Sequence, residues 1–330
     1  MKSIELDTYE IRKYQPTDKT AWDGFVKKAK NATFLFQRDF MDYHSNRFED
    51  YSLMVYKGEK LHAVLPANIQ NGVLHSHQGL SYGGLVLGMK TTFQETLLVF
   101  QSALNFLEKE GIAIFNLKLL PKIYNKLPSD EMDYLLFLTN AKLTRRDLSS
   151  CISFENQLKI ESSIRLKGIK RGEKNQLEVR EEPGFDSFWE EVLIPNLMKI
   201  HNQKPVHSLE EISLLKFHFP ENIRQFNVYK ANEIVGGATI FETAQVFHVQ
   251  YISSNMVARK IGGLDFLFNH LLQHFAHKKY FDFGVSNEAQ GMKVNKGLLH
   301  WKESFGGRGI AHDFYEIRTE NHHLLNDIFI

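Results

Sequence analysis

The chain has 330 residues, with 40 Lys and Arg against 39 Asp and Glu for a formal charge of +1. That length predicts two domains, and the charge balance excludes a global attraction to nucleic acid or to an anionic membrane. A composition 43% hydrophobic and 24% charged with 8 Pro excludes the disordered and collagenous classes, and a lone cysteine, Cys151, excludes an internal disulfide or a multi-cysteine metal site.

At the start of the chain Glu5, Asp7 and Glu10 fall where a secretory signal needs an unbroken apolar core, and no window holds the ~20 apolar residues of a membrane span. The expectation is a cytoplasmic protein without integral membrane association. An amphipathic segment at 22–29 precedes a strand at 51–56, the turn Lys57-Gly58-Glu59-Lys60 and a strand at 61–69, which read as a hairpin. Asn71-Gly72 is a turn signal, and a third strand follows at 73–77. A helix runs from Phe93, with Leu97, Leu98, Phe100, Ala103, Leu104 and Leu107 at helical spacing, until Gly111 ends it before a strand at 112–117.

The second half repeats this order. Strands are predicted at 225–229, 234–242 and 246–253, then a helix opening at Arg259-Lys260-Ile261-Gly262-Gly263, then a strand at 280–285. Val55-Tyr56-Lys57 and Val228-Tyr229-Lys230 lie 173 positions apart (55 to 228). The repetition reads as a tandem duplication, with domains at 1–150 and 151–330, a boundary near 140–165, and the last ~15 residues returning to the first domain. Only the second half carries glycines at its helix start, where Gly262 and Gly263 can bring backbone N–H groups close to a diphosphate; a plain turn is the alternative.

Strand, strand, Arg259-x-x-Gly262-Gly263, amphipathic helix and strand together resemble the cofactor half of the GNAT acyltransferase superfamily. Leu264 stands where its usual motif ends in Gly or Ala, a departure that points to a subgroup. With the segment Gly297-Leu298-Leu299-His300-Trp301-Lys302-Glu303-Ser304-Phe305-Gly306-Gly307, the chain resembles the FemAB-like tandem GNAT proteins, related to the Fem peptidoglycan bridge aminoacyltransferases. The basic run Ile164-Arg165-Leu166-Lys167-Gly168-Ile169-Lys170-Arg171 is similar to the helix that opens their second domain. Phe34-Leu35-Phe36-Gln37 and Tyr82-Gly83-Gly84-Leu85 are similar to their opening elements. No long antiparallel helical arm is present in the sequence pattern.

The resemblance implies an α+β fold of two GNAT-like domains, each a mixed, mainly antiparallel sheet flanked by helices. It implies acyl transfer to an amine, small molecule or peptide, by direct attack in a cleft between the halves, from acyl-CoA, with acetyl-CoA foremost and no metal. Two alternatives stand beside it: an aminoacyl-tRNA-dependent ligase acting on a cell-wall peptide precursor, and a non-catalytic protein that binds a small molecule or peptide. The charge balance weighs against tRNA and DNA as partners, although the run from Arg165 to Lys174 is basic.

Alternation on strand 280–285 places Tyr280, Asp282 and Gly284 on one face and Phe281, Phe283 and Val285 on the other. Asp282 can accept an amine proton or orient a base, or be an ordinary hydrogen-bonded carboxylate. By the same alternation His248 and Gln250 share a face opposite Tyr251, and His248 is a candidate base. The resemblance implies that backbone at Gln250, Tyr251 and Gly284 faces the acyl carbonyl and that Lys302 lies by the transfer centre. It also implies that Arg259 contacts the cofactor, and Ser286 and Asn287, in the loop directly after the strand, are cofactor-contact candidates or simply cap the next turn. His201, Lys204 and His207 form an acceptor-binding candidate at the capping box Ser208-Leu209-Glu210-Glu211, with Trp301 and Phe305 beside the acceptor; their spacing matches no zinc motif.

Overall fold

The computed structural model describes residues 9–330. Contacts separate the chain into two units, one holding the described residues up to Arg146 with Ala311–Ile330, the other Asp147–Ile310. In the first, β1 (Glu10–Lys13) and β3 (Lys60–Leu65) flank β2 (Leu53–Lys57) in antiparallel pairing. Helix α1 (Lys19–Lys28) lies between β1 and β2 in the chain. The strand predicted at 61–69 is broken at Pro66, which has no N–H to give to a ladder. Residues up to Leu65 stay with β2, whereas Asn68–Gln70 pairs with β4 (Val73–Ser76). Helix α2 (Phe93–Lys109) opens on the Thr92–Glu95 capping box and buries Leu97, Phe100, Leu104 and Leu107 on β5 (Ile114–Lys118), which runs parallel to β4.

The strand β6 (Lys142–Ser153) enters the second unit. There α3 (Ser163–Lys174) precedes β7 (Glu178–Glu182), α4 (Ile194–His201) and α5 (Leu209–His218). The strands β7, β8 (Ile223–Lys230), β9 (Glu233–Glu242) and β10 (Val246–Ser254) pair antiparallel in that order. A parallel step leads to β11 (Tyr280–Val285), which pairs antiparallel with β6. Between β10 and β11 run α6 (Met256–Ile261) and α7 (Gly263–His274), and α8 (Lys296–Glu303) and β12 (Arg308–Arg318) follow. Leu267, Phe268, Leu271 and Phe275 pack with Phe226, Phe247, Phe281, Phe283 and Phe305 as the core. No helix among the described residues is long and apolar enough to cross a membrane.

Register carries the repetition further than the sequence triplets do. After a bulge at Val55/Tyr56, Tyr56 faces Leu61 and Lys57 faces Lys60; after a bulge at Val228/Tyr229, Tyr229 faces Ile234 and Lys230 faces Glu233. The same offset of 173 (73 to 246) relates Val73, Leu74 and His75 to Val246, Phe247 and His248, and their parallel partners, Ile114, Phe115 and Asn116 against Tyr280, Phe281 and Asp282, correspond at an offset of 166 (114 to 280). The second unit is thus a mixed, mainly antiparallel sheet with helices against it, whereas in the first unit β1, β2 and β3 form an antiparallel sheet separate from the one that holds the parallel pair β4 and β5.

Candidate functional site

The parallel pairing of β10 with β11 ends at His248 opposite Asp282. Beyond that point each strand is bulged. On β10, Thr239 faces Tyr251 and Ile240 faces Val249, so Gln250 is the inserted residue. On β11, register against β6 shifts between Asp282 and Val285, with Gly284 at φ +76°. A bulge turns successive side chains out of strict alternation. The expectation that Tyr251 lies opposite His248 therefore fails: their register partners Thr239 and Phe241 share one face of β9, so Tyr251 lies on the His248 face, away from Val249 and Ile252 on the core side.

Register partners on adjacent strands share a face, which brings His248 beside Asp282 while Phe281 and Phe283 fill the core on the other side. The Asp282 carboxylate is buried. Its Oδ1 accepts from Ser149 Oγ at 2.7 Å and from the Gly284 N–H at 2.9 Å. Its Oδ2 lies 3.0 Å from His248 Nδ1. A proton on Nδ1 shared with the carboxylate leaves Nε2 as the acceptor of a neutral imidazole. With its side chain 20% exposed, His248 is open to a substrate, and no described residue bonds its Nε2. A base held in one tautomer by a buried carboxylate suits proton abstraction from an amine.

Helix α8 delivers the third group. Asn295 caps it by accepting from the Leu298 N–H, and Lys302 reaches back to donate to the carbonyls of Gly284 and Val285, each at 2.7 Å. Lys302 is 3% exposed. Burial lowers its pKa to about 8, against the opposing pull of the Asp282 charge. Two of its three N–H bonds are used, which leaves one for a negative charge that forms nearby. Gly284 connects the groups: its N–H serves Asp282, its carbonyl serves Lys302, and a Cβ there would lie 3.4 Å from His248 Cε1.

The other sequence candidates have different surroundings. The Asn287 side chain accepts from the Leu148 N–H at 2.5 Å and donates to the Gly291 carbonyl at 3.1 Å, tying its loop to β6. Ser286 is buried, with a hydroxyl that has no partner among the described residues. Tyr251 and His207 meet: the tyrosine oxygen accepts from the His207 N–H at 3.1 Å and lies 2.6 Å from its Nδ1. Trp189 packs edge-on against Tyr251, and burial pushes the phenol pKa up to about 12. Lys204 is exposed, and the side chain of His201, at the end of α4, lies outside the described residues. Trp301 packs edge-on against Phe268. Phe305, expected beside the acceptor, is fully buried among Phe268, Phe283 and Trp301 and is a core residue.

The glycine pair is also corrected. The helix expected to open at Arg259 is two helices, because Gly262 at φ +80° ends α6 and starts α7, leaving Arg259 exposed in the last turn of α6. A Cβ on Gly262 would overlap the Gly168 carbonyl of α3, one on Gly168 would overlap the Asp265 carboxylate, and one on Gly172 would press on Phe266. Gly263 lies against Ala258, and Arg165 forms an ion pair with Asp265 across the same contact. These glycines admit a close helix crossing, and the Gly262 N–H expected to face a diphosphate donates to the Ala258 carbonyl. Gly262→Ala is accordingly expected to destabilise by about 2–4 kcal/mol, from left-handed backbone and overlap together, measured by chemical denaturation.

Four antiparallel strands and a parallel step that splays past a bulge, with part of that register repeated in the first unit, are shared with solved structures of the FemAB-like tandem GNAT-type fold. No protein-family model and no curated protein matches the sequence. Among solved structures, FemX superposes with a TM-score of 0.66 at 10% identity, over 96% of this chain and 99% of that one. The C-terminal domain of a putative lysylphosphatidylglycerol synthetase from Agrobacterium fabrum gives 0.62 at 11%, over 94% of each. A tandem GNAT protein from the clavulanic acid biosynthesis pathway gives 0.50 at 8%, over 94% of this chain and 99% of that one. At these identities the likeness is one of fold.

Proposed function

We propose that the chain is an N-acyltransferase whose second unit moves an acyl group from an activated donor to an amine. The observation that carries this reading is His248 held by buried Asp282, with the Lys302 ammonium on the same bulged glycine, where two strands part. The acyl carbonyl enters between β10 and β11, against backbone at Gln250, Tyr251 and Gly284. His248 Nε2 takes the amine proton as nitrogen attacks, and the remaining Lys302 N–H faces the developing oxyanion. A C–N bond forms, the C–S or C–O bond to the leaving group breaks, and the imidazolium returns its proton to that group.

The donor proposed first is acyl-CoA, with acetyl-CoA foremost, and Ser286 is its candidate contact through the unpartnered hydroxyl. Lys204 and His207 are the candidate contacts for the amine. A second reading, an aminoacyl ester of tRNA used on a cell-wall peptide precursor, rests on the basic face of α3. Lys167, Lys170 and Lys174 are exposed on α3, with no ion pair among the described residues. Thermal shift with acetyl-CoA, together with release of free CoA thiol in the presence of an amine panel, tests the first reading. At ~100 times its dissociation constant the donor is expected to add about 2.7 kcal/mol of stability. Transfer from aminoacyl-tRNA alone would select the second reading, and silence with both donors would overturn acyl transfer.

A further inference from the structure

A separate cavity of about 570 Å³ opens in the first unit, within the size range of small-molecule sites. One face of α1 forms its floor through Ala21, Gly24, Phe25 and Lys28, residues three and four apart, which line up on a helix. Leu61 and His62 of β3, and Gly88 and Met89 in the segment leading to α2, complete an apolar lining.

Gly24 is the telling residue. It occupies the interior of α1, where glycine costs stability relative to alanine. A Cβ there would meet nothing within 4 Å, so no neighbouring backbone or side chain of the described chain requires its absence. Its effect is to keep the floor of the cavity low. The charge at the edge is the second, independent observation. Lys28, Lys60 and Lys90 all line the cavity, and none forms an ion pair among the described residues. The one carboxylate in the lining, Glu95, is engaged by the Thr92 cap of α2 through its backbone N–H and hydroxyl. An apolar chamber edged by three free ammonium groups is complementary to a molecule with an apolar body and an anionic head.

We infer that this cavity binds a small amphiphilic anion, its apolar body over Gly24 and Phe25 and its carboxylate or phosphate head among Lys28, Lys60 and Lys90. The site lies in the first unit, and the inference does not depend on the proposed function.

Calorimetric titration of the full chain with decanoate and with decyl phosphate tests it and separates the two head groups. Decyltrimethylammonium and inorganic phosphate serve as controls. One or both anionic amphiphiles are expected to bind, with affinity falling as salt rises and at least tenfold above either control. Gly24→Leu, which fills the floor, is expected to weaken that binding at least tenfold while the thermal midpoint holds or rises by roughly 1–3 °C. Should Gly24→Leu fail to fold, the triple variant Lys28→Gln, Lys60→Gln and Lys90→Gln decides, with the salt-dependent part of the affinity expected to vanish. Equal binding of decyltrimethylammonium, binding unchanged in either variant, or no binding of decanoate or decyl phosphate would overturn the inference.

Discussion

Replacing His248 with alanine is expected to lower single-turnover acyl transfer by about 10²–10⁴-fold, the usual contribution of a positioned base, and to leave the fold intact. Asp282 keeps its bonds from Ser149 Oγ and the Gly284 N–H, so its buried charge stays compensated when the ring is removed. The histidine itself contributes little buried apolar area, being the part-exposed member of the pair. A companion variant, Asp282→Asn, separates orientation from simple loss of charge. Its amide still accepts from Ser149, but toward the imidazole it presents N–H groups, which moves the ring proton onto Nε2 and removes the base. Both variants should therefore lose rate to a similar degree while melting close to the parent. A His248→Ala protein that transfers within about threefold of the parent rate would remove the histidine from the proton path.

Much of this constellation was legible in strand alternation. Phe281 and Phe283 mark the core side of β11, which leaves Asp282 on the face where the chemistry can occur. Strand register adds a sharper contrast, which the 173-residue offset does not carry because the partner strands correspond at an offset of 166 (116 to 282). Val73 and His75 correspond to Val246 and His248, but the residue opposite His75 is Asn116, where the second unit has Asp282. One copy therefore pairs its histidine with an amide and the other with a carboxylate, and only the second can hold a base by charge. Burial and the nearby Lys118 charge also lower the pKa of His75, keeping that ring neutral.

What sequence could not supply were contacts made across long stretches of chain. Gly262 resembles a phosphate turn in sequence because its packing partner, Gly168, lies far earlier in the chain, on a helix that is basic as well as glycine-bearing. The spacing of Gly168 and Gly172, one helical turn apart beside an amphipathic helix, was the available sign of close crossing. Bulges were equally hidden: alternation in the sequence puts Tyr251 opposite His248, and it joins the His248 face only because β10 carries Gln250 as an extra residue against β9. Phe305 sat beside Lys302 in a functional-looking motif, yet helix and turn geometry send the phenyl ring into the core and the lysine toward Gly284.

Lys302 supports the second large expectation, a rate that falls as pH rises through about 8. Burial lowers its pKa to about 8, so above that value the ammonium loses the proton that lets it stabilise an oxyanion. Values of kcat/KM measured from pH 6 to 10 should decline tenfold per unit on the alkaline side. Stability has the opposite sign. The folded pKa is below the ordinary lysine value of 10.5, so between about 8 and 10.5 unfolding takes up a proton, and this group makes the fold more stable as pH rises through that window. Below pH 8 both states hold the proton and its contribution is constant. Lys302→Met is expected to cost about 10²–10³ in rate and to abolish the alkaline decline, because the titrating group is gone. It also leaves the Gly284 and Val285 carbonyls without their donor, at a cost of about 1–3 kcal/mol that removal of a buried charge partly offsets. A decline that persists in Lys302→Met would assign the titration to another group, and a parent rate flat to pH 10 would mean that the ammonium does not face the reacting carbonyl. The opposed pH responses of rate and stability are what distinguish a lysine held for catalysis from one that merely braces the bulge, since bracing alone moves only the second.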